Sequence, residues 1–108
     1  MQDILWSPSP ARMADSNLRR FIDCIAARRD LPTGDYAALH RWSLERPDAF
    51  WFEVAHFADV KAEWAAAPVL ENGDQMPGAR WFPGARLNYA ENQLHYRDDH
   101  PALIAYNE

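Results

Sequence analysis

The chain has one cysteine, one lysine and four glycines in 108 residues. It has no apolar run approaching the roughly 18 residues that a membrane-spanning helix needs. A lone Cys24 cannot close a disulfide within the chain, which fits a reducing compartment such as the cytoplasm. It falls at the flank of an apolar helical stripe and reads as a small buried hydrophobe. Gly34, Gly73, Gly78 and Gly84 stand singly, so none builds a loop of successive amides around a phosphate. Lys61, followed by Ala62-Glu63, matches no catalytic lysine motif. Positive charge is short as well: 11 Lys and Arg face 16 Asp and Glu, a net charge of -5. That balance excludes the basic footprint of a nucleic-acid binder and disfavours an anionic membrane surface. His40, His56, His95 and His100, with Asp98-Asp99, fall at no CxxC or HExxH spacing, and no metal site is expected. Met1 to Trp6 carries neither a basic leader nor an apolar core, so no secretory signal is expected there.

Apolar residues and aromatics are plentiful. They make up 48% and 13% of the chain, with five Trp. A chain of this length is one domain at most and buries roughly two thirds of its unfolded surface. Met1 to Asp15, with Pro8 and Pro10 and no periodicity, predicts an extended arm. Asp15 or Ser16 caps a first helix whose Leu18, Phe21, Ile22 and Ile25 recur at i, i+3, i+4 and i+7, and Pro32 and Gly34 end it. Arg28-Arg29 at its end suits the helix dipole. Asp35 caps a second helix with Tyr36, Leu39, His40 and Ser43 on one face and Trp42 at its edge, stopped by Pro47. Asp48 caps a third, with Phe50, Val54 and Phe57 along one side, widened by Trp51 and Ala58. Phe52 lies away from that side, so a second face of this helix needs cover. Lys61 to Ala67 extends a helix through Trp64, and Pro68 to Gly78 reads as loop. A fourth helix runs from Asn88 to Leu94 or His95. Pro101 to Glu108 reads as a β-strand with no convincing partner in the chain, because the other candidate, Val69-Leu70, is two residues long.

The densest segment is Ala79 to Asn92. Pro83 fixes φ and Gly84 permits a positive one, which makes a turn directly after Trp81-Phe82. Asn88 with Glu91 three residues on reads as a capping box. Two readings of Trp81, Phe82, Arg86 and Asn88 stand side by side: residues finishing the local core, or a wedge that docks on a neighbouring domain. Five Trp exceed what four short helices need to cover one another, which favours the wedge.

Trp81-Phe82-Pro83-Gly84-Ala85-Arg86-Leu87-Asn88 resembles the N-terminal region of the AMP-forming acyl-CoA synthetases, most nearly the acetoacetate:CoA ligases. Acetyl-CoA synthetases look like Trp-Phe-x-Gly-Gly-x-Leu-Asn at this point, a pattern from which this chain departs. Leu5-Trp6, Asp35-Tyr36, Leu39 to Ser43, Phe50-Trp51, Val54 and Phe57 follow the family's order too. The resemblance implies a mainly α unit of three or four short helices with irregular arms. Residues 1–100 would be the helical cap, and 101–108 the first strand of a larger α/β adenylating domain. It implies a ligase using ATP, Mg²⁺ and CoA, none of them held by this chain. The chain itself is then non-catalytic, docking on that domain through Trp81, Phe82, Pro83, Gly84, Arg86, Leu87, Asn88 and Asn92, with self-association through the C-terminal strand a further expectation. A free-standing protein-binding module using the same surface, or the equivalent region of an acetyl-CoA synthetase, are the alternatives.

Overall fold

In the computed structural model, residues 4–29 and 34–108 are described. Helix α1 (Pro10–Ala14) occupies what the sequence predicts as extended arm. Ser9 followed by Pro10 is a cap-and-first-residue pair that needs no apolar periodicity: Ser9 Oγ accepts the Arg12 amide at 3.2 Å, and proline at the first position loses no helical hydrogen bond. Helix α2 (Asn17–Arg28) is capped by Ser16, whose Oγ accepts from the Arg19 amide at 3.1 Å. It stops at Arg28, ahead of Gly34, which has φ +59°. Pro32, also expected to end it, lies outside the described residues.

Helix α3 (Tyr36–Glu45) opens on Asp35, whose carboxylate accepts the Ala38 amide at 2.7 Å, as the sequence predicts. Pro47 both stops α3 and starts α4 (Pro47–Phe57), with Arg46 alone between them. The expectation that Asp48 caps this helix is therefore corrected. Asp48 lies in the first turn, ion-paired to Arg46 at 3.2 Å, and no side chain caps α4.

α4 is the hub because it is apolar on two sides. On one, the Phe21 ring of α2 meets Phe50 and Phe57 edge-on at 6.0 and 5.1 Å, and Trp42 of α3 meets Phe50 at 6.1 Å. Phe21, Ile25, Ala49 and Ala55 are the buried apolar side chains among the described residues. Glu53 is buried with them, 3% exposed, and accepts from Arg29 Nε at 2.8 Å and Arg28 Nη1 at 3.1 Å. The arginine pair thus does more than favour a helix end; it clamps α2 onto α4.

On its other side α4 presents Phe52 to a non-helical segment. Residues 61–67 do not extend a helix, contrary to the sequence reading: Glu63 and Arg86 exchange backbone hydrogen bonds of 2.8 and 3.1 Å instead. Strand β1 (Leu70–Glu71) pairs antiparallel with β2 (Arg80–Trp81), Leu70 opposite Trp81, within the stretch that reads as loop. Helix α5 (Tyr89–Gln93) follows its Asn88 cap. Residues 101–108 form no ladder with any described residue, and Leu103, Ile104 and Tyr106 are exposed, so the strand expected there is not formed within this chain. No helix among the described residues is long and apolar enough to cross a membrane. The radius of gyration is 18.1 Å, against about 13 Å for a self-contained globule of this length.

Candidate docking surface

The sequence points to residues 81–92, and the structure divides them by direction. Phe82 adopts φ +45°, a left-handed conformation that non-glycine residues seldom take, and its amide donates to Val69 O at 2.7 Å. This turns the ring inward, 5.4 Å from Trp64, where both close with Phe52 and Val69 around an apolar cavity of about 70 Å³. Phe82 is the cover that the second face of α4 calls for. Pro83 and Gly84 form the expected turn: Ala85 N donates to Phe82 O at 3.0 Å, with φ +80° at Gly84. A Cβ on Gly84 would come within 3.1 Å of the Ala65 side chain, so glycine also permits the close approach of that segment.

Asn88 and Asn92 work inside the unit. Asn88 Oδ1 accepts from the Glu91 amide at 3.2 Å. Asn92 Oδ1 accepts from Lys61 N at 2.9 Å, and its Nδ2 donates at 2.9 Å to both Lys61 O and Asn88 O. With the Glu63–Arg86 bridge, this amide fastens α5 and the turn to the extended segment leaving α4. Arg86 thus contributes its backbone, while its side chain is exposed.

Trp81 points outward. Its indole stands edge-on to Trp51 of α4 at 6.2 Å and 74°, and the two are 44% and 47% exposed. Phe82 lies at the foot of the shallow apolar cleft between them. Leu87, 58% exposed, adds an apolar side chain further along the segment. Trp51 enters the site from the third predicted helix, where the sequence shows it only as widening the apolar side. Its placement beside Trp81, 30 residues away, depends on the Phe82 and Asn92 fastenings. Trp64 likewise reads as helical in the sequence and turns out to be the partner of Phe82. Among the described residues no group of three His, Cys, Asp or Glu side chains converges on a metal-sized site. Cys24 is half-buried and unbonded to another cysteine.

The surface therefore consists of an outward aromatic ledge, Trp51 and Trp81, on an internally tied base. Residues 36–93, from α3 through α5, match the family model described as acetyl-coenzyme A synthetase N-terminus. The chain is similar, with 38% identity over 96% of its length, to the acetoacetyl-coenzyme A synthetase of Rhizobium meliloti (strain 1021), and with 31% identity over 97% to the acetoacetyl-CoA synthetase of Gallus gallus. It spans 16% of each of these relatives, about one sixth of their length. A solved acetoacetyl-CoA synthetase from Streptomyces lividans superposes on 85% of this chain with a TM-score of 0.78 and 44% identity, the match covering 14% of that structure. The model match, extending over more than half of its residues, shows that the chain belongs to the acetyl-coenzyme A synthetase N-terminus family.

Proposed function

We propose that the chain is the non-catalytic docking unit at the N-terminus of a cytoplasmic acetoacetate:CoA ligase, and that its Trp51–Trp81 ledge packs against the adenylating domain. The ligase converts acetoacetate, ATP and CoA to acetoacetyl-CoA, AMP and pyrophosphate through an acyl-adenylate, with Mg²⁺ accompanying the nucleotide. The observation that carries the reading is the pair of adjacent, nearly half-exposed indoles on a base held by Phe82 and Asn92. An apolar ledge so rigidly supported suits a partner surface better than water. The names of the relatives, and the one sixth of their length that this chain spans, support the choice of enzyme.

The residues of the chain do not fit the nucleotide or its metal. Phosphate binding needs consecutive amides from a glycine-rich loop, and the four glycines are dispersed between residues 34 and 84. Acyl activation therefore falls to the remainder of the enzyme, and the exposed apolar tail at 102–106 leads towards it as the first strand of that domain's sheet. Incubating the 108-residue chain with ATP, Mg²⁺, acetoacetate and CoA tests the non-catalytic assignment. Pyrophosphate is expected to stay at the level of the protein-free blank; release at turnover rates would overturn it.

A further inference from the structure

A second apolar surface lies apart from the ledge and does not depend on its role. Phe21 of α2, Leu39 of α3, and Val54 and Phe57 of α4 floor an open groove of about 490 Å³, with Leu18 and Tyr36 at its lips. The same chain leaves another apolar element uncovered: Ile4, Leu5 and Trp6, which precede α1, are 84%, 98% and 69% exposed, and the Arg12 guanidinium lies over the Trp6 ring, 5.9 Å from its centre. The two are connected through a short lever. α1 is five residues long, about 7.5 Å, and joins α2 through Asp15 and Ser16, beside Asn17 at the mouth of the groove. Three extended residues from Trp6 to Ser9 add about 10 Å. Together they give the arm a reach of about 17 Å from a joint that adjoins the groove.

We infer that residues 4–6 form a strap that closes over the α2–α3–α4 groove, seating Leu5 and Trp6 on Phe21, Leu39 and Phe57. Burying apolar surface on both sides drives closure. The tether decides the occupant. A short flexible linker presents the arm at an effective concentration of the order of millimolar, so at micromolar protein the chain's own arm outcompetes the arm of a second copy. The cost is the Trp6–Arg12 contact, which water screens at an exposed site, together with the hydrogen bonds that Ser16 N and Oγ donate to Met13 O at 3.2 and 2.8 Å across the joint.

The test is a nuclear Overhauser measurement on the whole 108-residue chain with labelled Leu and Val methyl groups. The strap predicts cross-peaks from the Trp6 indole to the methyls of Leu18, Leu39 and Val54, and loss of those peaks with shifts of the same methyls in Trp6→Ala. Trp6 lies outside every packed element, so this substitution leaves the fold intact. Tyr36→Ala at the groove lip should weaken the cross-peaks without altering the Trp6 side. Cross-peaks from Trp6 confined to Arg12 and its chain neighbours, with groove methyls unmoved by Trp6→Ala, would overturn the strap. So would cross-peaks that survive only between differently labelled molecules in a mixed sample, because the occupant would then be a second copy.

Discussion

Trp81 and Phe82 are neighbours in the chain with opposite surroundings, and the difference is set by one backbone angle. The positive φ at Phe82 is a strained choice that costs of order 1 to 3 kcal/mol, and the ring's contact with Trp64 and Phe52 is what holds it. Phe82→Ala is therefore expected to destabilise the chain by about 2 kcal/mol, less than a fully buried phenylalanine because the ring is half-buried. Leu87→Ala, on the exposed side, should stay within about 0.5 kcal/mol. Thermal melts of the two variants check the contrast. The charge pairs at this scale lose their contribution only at low pH. A hydrogen bond from Arg19 holds the Asp23 carboxyl below the usual carboxylate range, outweighing the opposing desolvation, and Arg46 does the same for Asp48. Because the folded values are depressed, whatever these pairs contribute is fully present above about pH 3.9, the unfolded value, and is lost as pH falls through the folded ones. Carboxyl carbon titration should give midpoints below 3.9 for both, and Arg19→Met should return that of Asp23 towards about 3.9.

Elements that rest on local chemistry are legible in the sequence. Ser16, Asp35 and Asn88 start their helices where a side-chain oxygen can reach an amide three residues on, and the Phe21–Ile25 stripe faces inward as its spacing requires. α1 was also within reach, through Ser9-Pro10, but a single turn has no period to reveal it. Features that depend on long-range pairing are not legible: Glu63 chooses Arg86 over a helix, and Glu53, in the middle of an apolar helix, chooses Arg28 and Arg29 from 25 and 24 residues back. The Glu53 clamp should respond asymmetrically. Glu53→Ala frees two arginines that are 46% and 37% exposed and remain solvated, for about 1 to 2 kcal/mol. Replacing both arginines with Met strands a buried carboxylate, for about 3 to 5 kcal/mol. Denaturant titration of these two variants gives the order, and equal losses would show that the clamp is not electrostatic. Asn92→Ala should expose the Lys61 amide to hydrogen exchange and cost about 2 kcal/mol, since it removes three hydrogen bonds at once.

At the scale of the molecule, the chain is too open for its size and its buried core is small, while tryptophans, a leucine and an apolar tail face outward. Such a unit gains stability by being covered, and its aromatic ledge is the part best prepared for that. Paired melts of Trp81→Ala, in the 108-residue chain and in the full-length ligase proposed above to contain it, test this most directly. In the chain, Trp81 gives up one edge-on ring contact, so the expected loss is about 1 kcal/mol, a fall of roughly 4 to 8 °C. In the ligase the same truncation should cost about 3 to 5 kcal/mol, as for an aromatic buried on both sides. A chain that loses most of its stability on Trp81→Ala, with no greater loss in the ligase, would make the ledge local core and contradict the docking role.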